Sequence, residues 1–173
     1  MAKFSLLLLD SVVIIELFEI GIWDQILAHC DVHVSETIVA EVLYYIDAND
    51  QKQPIDLSRY ADKMTIHSVP VSRVLELKKG FGSILLDKLD AGEAELLSVV
   101  HSSFDSYRLC SADAVVFRVL AALGKSDQGV SLEELLQQIG LSRSVSWPFS
   151  KSFRVHWARC GFEEKLHGII LPN

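Results

Sequence analysis

The sequence predicts an α/β fold: a three-layer α/β/α domain with a mostly parallel central sheet and a C-terminal extension. Three observations carry this. Phe4–Leu9 is a short, continuous apolar run stopped by Asp10, the pattern of a strand buried on both faces. Short apolar runs then alternate with segments of helical period along most of the chain, as in a parallel sheet with crossover helices. Several acids fall where a strand pattern ends or a helix pattern begins, the edge at which open α/β sheets bind ligands. The 173 residues suit one compact domain, over 1–140, with residues 141–173 as an extension packed on it or placed at a dimer interface.

The elements follow in order. After Asp10-Ser11, Val13, Ile14, Leu17, Phe18 and Ile20 recur at three and four residues, and Ile26 and Leu27 continue the pattern; Gly21 divides it into two helices. Val32–Val34 is a second strand. Ser35 is placed as the N-cap of a helix from about Thr37, with Ile38, Val42 and Ile46 on one face. The polar stretch Asp47–Ser58 contains Pro54 and reads as a loop or small insertion. Met64–Val69 is a strand closed by Pro70, and Ser72–Leu77 is helical. Gly80 and Gly82 interrupt that helix, and Ser83–Leu89 resumes it. Asp90 opens a helix whose buried side is Ala94, Leu96, Leu97 and Val100. Tyr107–Cys110 is a strand, and Ala114–Leu123 a helix ended by Gly124. Gly129–Ser131 is a last short strand, and Ser131-Leu-Glu-Glu134 matches a capping box.

Composition removes several classes. Hydrophobic residues form 50% and charged residues 23% of the chain, which supplies a core and excludes disorder. Cys30, Cys110 and Cys160 are odd in number and widely spaced, so they build no disulfide framework and suit a reducing compartment. The N-terminal apolar run is too short for a signal peptide, and no stretch approaches the roughly 20 apolar residues of a spanning helix; the expectation is a cytoplasmic protein with no membrane contact. The net charge of −7 argues against a basic nucleic-acid coat protein.

The acids are the candidate chemistry. Asp10 and Asp113 close two strand patterns, Glu41 lies in the helix after the second strand, and Glu93 starts the helix opened by Asp90. If these four converge, their repulsion requires a counter-charge, and a hard divalent cation with oxygen ligands supplies one. Such a metal activates water and stabilises a leaving oxygen in phosphodiester cleavage. The alternative is structural: an Asp at a strand end is often a helix cap, and first-turn acids such as Asp90, Glu93 and Glu95 answer the helix dipole.

Four short motifs stand in a recognisable order. Leu7-Leu-Leu-Asp10-Ser11 before an apolar helix, Ser35-Glu-Thr-Ile-Val-Ala-Glu41-Val, Leu89-Asp-Ala-Gly-Glu93-Ala-Glu95 and Leu109-Cys-Ser111-Ala-Asp113 together resemble the motifs of PIN-domain nucleases, the third in its Gly-Glu-Ala-Glu variant. The resemblance covers about residues 4–140. It implies a PIN-like fold and a Mg²⁺- or Mn²⁺-dependent endoribonuclease acting on single-stranded RNA. Asp10, Glu41, Glu93 and Asp113 would be its catalytic acids, with Asp10, Glu93 and Asp113 on the metal, Glu41 outside the first ligands or on a second ion, and Ser11 and Ser111 as hydroxyl supports. Many relatives are toxins of toxin–antitoxin pairs, so an antitoxin and a homodimer are expected partners. Two rivals remain: a PIN-like module that has lost catalysis and binds RNA or protein, and a phosphatase-like hydrolase using Asp10 as covalent nucleophile.

The charge is uneven. Residues 1–124 hold 10 basic and 18 acidic side chains, and residues 125–173 hold 6 and 5. Arg143, Lys151, Arg154 and Arg159 are interleaved with Trp147, Phe149, Phe153, His156 and Trp157. That mixture suits either phosphate contact with base stacking or aromatic anchors with solvated basic heads. A homodimer contact is the third use for the segment, and Tyr44-Tyr45 and the apolar helix Ile14–Ile26 are other candidate interfaces. His29, Cys30 and His33, or His156 and Cys160, lack the second pair a zinc site needs.

Overall fold

The structure is a computed structural model that describes residues 4–79, Phe81 and residues 88–168. Five strands form one parallel sheet: β1 (Phe4–Leu9), β2 (Cys30–Ser35), β5 (Met64–His67), β6 (Arg108–Cys110) and β7 (Gly129–Val130). Their order is β5-β2-β1-β6-β7, every neighbouring pair is parallel, and helices flank the sheet. This is the three-layer α/β/α arrangement the alternation predicts.

The apolar run of β1 is central because it has to be. Leu7, Leu8 and Leu9 are fully buried between β2 and β6. The positive φ of Leu6 (55°) accompanies a register shift between Phe4 and Leu7, after which pairing is regular to the end of the strand. Asp10 N then donates to Cys110 O at 3.1 Å, carrying the β1–β6 ladder one residue past the strand.

The helices are α1 (Ser11–Glu19), α2 (Trp23–His29), α3 (Glu36–Glu41), α4 (Val71–Lys79), α5 (Ala91–Ser102), α6 (Ala114–Ala122), α7 (Leu132–Gln138) and α8 (Lys151–Leu166). Gly21, at φ 69°, separates α1 from α2 as expected. Asp10, Ser35, Asp90, Asp113 and Ser131 are N-caps with side-chain hydrogen bonds, and Asp90–Glu93 and Ser131–Glu134 form complete capping boxes. The apolar face of α1 and α2 lies in the chain's own core: Val13, Ile14, Leu17 and Ile26 are all buried.

Two expectations are corrected. The helix after Ser35 stops at Glu41, so Ile46 is not on its face. The chain instead turns into β3 (Tyr44–Ile46), which pairs antiparallel with β4 (Lys52–Pro54). The stretch read as a loop therefore contains a strand, followed by a 3₁₀ turn at Leu57–Tyr60. Pro54 is tolerated because the hairpin is a free two-stranded ribbon with no further strand to receive an N–H. The helix expected over Ser83–Leu89 lies largely outside the described residues.

The extension runs through a 3₁₀ turn (Trp147–Phe149) into α8, which crosses α6 closely. A Cβ on Gly161 would sit 2.4 Å from Arg118 O, so only glycine permits that approach. Phe153 is buried 6.2 Å, centroid to centroid, from Phe117. Arg118 holds Glu164, and Arg154 holds Glu134, each through two hydrogen bonds. Among the described residues no helix is long and apolar enough to cross a membrane.

Candidate functional site

Topology brings the acids together. β1 and β6 are neighbours, so Asp10 and Asp113 leave the same edge of the sheet. Ser111 joins them. Its buried hydroxyl donates to Asp10 Oδ2 at 2.8 Å, and its oxygen accepts Asp113 N at 3.0 Å. Ser11 N donates to Asp10 Oδ1 at 2.6 Å, and Val115 N donates to Asp113 Oδ1 at 2.6 Å. Both acids are thus helix caps, as the structural alternative requires, yet each keeps further acceptor capacity.

The other acids arrive on α3 and α5. Gly92 sets their approach, because a Cβ there would stand 2.9 Å from Ile38 Cγ1 and 3.2 Å from Glu41 Oε2. Glu93 is buried in the first turn of α5, and its Oε2 accepts Asp90 N at 3.2 Å while Asp90 Oδ1 accepts Glu93 N at 2.8 Å. Glu41 is exposed at the end of α3.

These carboxylates share one field. Asp10 is 2% exposed, and burial lifts its pKa from 3.8 to about 6; its Ser111 hydrogen bond works against that rise, and Asp90 and Asp113 add to it. Burial likewise lifts Glu93 from 4.5 to about 8, with Asp113, Asp10 and Asp90 adding repulsion. Glu41 is raised by desolvation and then by Asp90, Asp10 and Glu95. Acids from four segments therefore destabilise one another's charge. Among the described residues no Lys or Arg forms an ion pair with Asp10, Glu41, Asp90, Glu93 or Asp113.

The donor set is all carboxylate and hydroxyl oxygen, the chemistry of a hard divalent cation. Among the described residues no three His, Cys, Asp or Glu side chains are grouped closely enough to hold one ion by themselves. Mg²⁺ does not demand such a cage: it keeps several waters and takes one or two carboxylates plus substrate phosphate. The residues fit that mode.

Asp90 is the residue whose weight the sequence understates, since it acts on Asp10, Glu41 and Glu93 alike. Its place beside Glu93 in a capping box is the signal that marks it. A separate histidine pair also escaped the sequence reading. His33 Nδ1 and His67 Nε2 are 2.9 Å apart, with Tyr107 edge-on to both rings. His33 Nε2 lies 3.2 Å from Asp31 Oδ2, but without hydrogen-bond alignment. His29, weighed as a neighbour of His33, instead has its Nδ1 2.8 Å from Gln25 O.

In the extension, Phe149 and Phe153 are buried and Trp157 is half-buried, so these aromatics anchor it; Trp147 remains 55% exposed. Arg154 is held by Glu134 and Arg159 by Glu163, while Arg143 and Lys151 are exposed.

No family model matches the chain, and no curated protein or solved structure matches it.

Proposed function

We propose that this chain is a divalent-metal-dependent endoribonuclease of the PIN type, cleaving phosphodiester bonds in single-stranded RNA. The observation that carries the reading is that buried Asp10 and Glu93 are pushed up to about 6 and about 8, chiefly by burial and further by Asp113, with no cationic partner among the described residues. Buried acids without a cation take up a proton or bind a hard cation, and the second is the use this reading assigns. Of Asp10, Glu93 and Asp113, one or two would bind Mg²⁺ or Mn²⁺ directly and the rest through its waters, with Glu41 at the outer margin. The metal, when bound, supplies Lewis-acid stabilisation of phosphate charge and a water of lowered pKa.

The chain's own residues do the rest. Ser111 fixes Asp10 and Asp113 relative to one another, and Ser11 N fixes the Asp10 rotamer. Glu93, pushed up to about 8 chiefly by burial, is largely protonated at neutral pH and would exchange that proton with a water beside it. Exposed Arg143 and Lys151, with Arg159, are the phosphate contacts; Arg154 serves as a strap to Glu134. Exposed Leu43, Tyr44 and Ile46 form the surface for a second copy or an antitoxin.

The test is cleavage of a labelled single-stranded RNA by the purified chain in chelator, Mg²⁺ and Mn²⁺, beside Asp10→Asn. Metal-dependent cleavage lost in the variant supports the reading; full activity in the variant overturns it. A second reading, favoured by the capping roles that Asp10 and Asp113 already fill, is a catalytically inactive PIN-like binding module. Calorimetric titration with Mn²⁺ separates the two, because the module would bind no ion specifically.

A further inference from the structure

Helix α8 carries a pair of metal-binding side chains that the carboxylate chemistry leaves unused. His156 and Cys160 stand four residues apart in it, a spacing that puts two side chains on one helix face. His156 is exposed and Cys160 is half-buried, whereas Cys30 and Cys110 are buried. Cys160 Sγ lies 3.9 Å from His156 Nε2, where a thiol makes at most a weak hydrogen bond. The Trp157 ring packs edge-on against the imidazole, 4.9 Å between centroids.

The separation suits one shared ion. Tetrahedral zinc, with bonds of about 2.3 Å to sulfur and about 2.0–2.1 Å to nitrogen, sets those two atoms about 3.5–3.6 Å apart. A small rotamer adjustment closes the difference. Thiolate and imidazole also favour Zn²⁺ over Mg²⁺ or Mn²⁺, the reverse of the all-oxygen carboxylate edge.

Two ligands are half of what a structural zinc takes. Among the described residues no third His, Cys, Asp or Glu is placed to join the pair. Glu163, in the next turn, is held instead by Arg159 at 2.8 Å. The surface around the pair is open, with Arg159 and Glu163 both exposed. A second copy of the chain offers an identical pair, and a two-fold contact sets like patch against like patch.

We infer that His156 and Cys160 form half of a tetrahedral zinc site, completed by the same two residues of a second copy of this chain. Zinc displaces the two thiol protons, which pass to solvent, and nothing is oxidised or reduced. Two thiolates and two neutral imidazoles leave the centre uncharged. Each chain has a net charge of −7, so two copies repel one another and pair through the ion.

The experiment titrates the intact chain with Co²⁺, as a coloured stand-in for zinc, in a phosphine reductant that prevents a Cys160 disulfide. It follows the thiolate-to-cobalt absorption band, and the mass in solution by analytical ultracentrifugation. Cobalt on the carboxylate edge has no sulfur ligand and adds nothing to that band. The band should saturate at one ion per two chains as the mass doubles. Zn²⁺ should bleach the band and keep the dimer, and chelator should return the monomer. His156→Ala and Cys160→Ser, both outside the core, should each lose the band and the dimer while melting near the parent's temperature. Absence of the band, saturation at one ion per chain without a change in mass, or a dimer that persists in chelator or in both variants overturns the inference. RNA cleavage is no part of the readout, so the inference stands or falls apart from the nuclease reading.

Discussion

The carboxylate edge and the α6–α8 crossing treat acids in opposite ways. Along α8, two half-buried acids meet a guanidinium: Glu134 holds Arg154 and Glu164 holds Arg118; burial pulls Glu134 upward, but the Arg154 and Ser131 hydrogen bonds keep it below its ordinary pKa. At the edge, Asp10 and Glu93 are more deeply buried, meet neutral donors and other acids but no Lys or Arg among the described residues, and rise. Both regions have capping boxes and both are well packed. The difference teaches that burial alone does not set an acid's pKa; whether a cation stands beside it does.

The largest break in this contrast comes from the edge itself. Asp10→Asn or Asp113→Asn should reduce RNA cleavage by about 1,000-fold, roughly 4 kcal/mol of barrier, while the melting temperature stays near that of the parent. A cleavage assay paired with a thermal melt checks both halves, and a variant that simply unfolds would weaken the comparison.

Gly161→Ala tests the other region by sterics. Its methyl would enter the backbone of Arg118, so the expected loss is about 3 kcal/mol, read by urea unfolding. Arg154→Ala follows, at about 2 kcal/mol, because Glu134 keeps its place but loses both charged donors. Cleavage per folded molecule should survive both substitutions.

A pH series sharpens the contrast further. Asp10 and Glu93 have folded pKa values above their unfolded ones, so they favour the fold fully only below about pH 4, and that contribution is lost as pH rises to about 8. In chelator, stability should therefore fall from pH 5 to 8 by on the order of 2 kcal/mol. Glu93→Gln should flatten the fall, and Mn²⁺ at pH 8 should reverse it. A melting temperature that rises over that range would show the acids are compensated after all. Arg159→Ala is the smallest effect, a melting temperature indistinguishable from the parent's, since Arg159 and Glu163 are both exposed.

Much of the fold is legible because its signals are local. Phe4–Leu9 reads as a strand buried on both faces, and Asp90-Ala-Gly-Glu93 announces a helix start by capping chemistry alone. β3 and β4 are not legible: three residues each, one containing proline, they exist only through pairing with each other. Val42 and Ile46 fit a helical period that the chain abandons at Glu41. The four acids could be listed from sequence, but their shared field depends on β1 and β6 being neighbours and on Gly92 admitting α5 to α3. The His33–His67 contact is set by β2–β5 pairing across 34 positions, which no local spacing reveals.

The missing methyl at Gly161 also bears on how the chain is made. On a ribosome, α8 emerges after every acid of the edge has been synthesised, so α6 must wait with Phe117 uncovered until Phe153 arrives. During that interval the nascent domain presents an apolar helix face as an aggregation hazard. A truncated chain ending at Leu141 would carry that hazard permanently, and should go to inclusion bodies although all four acids are present.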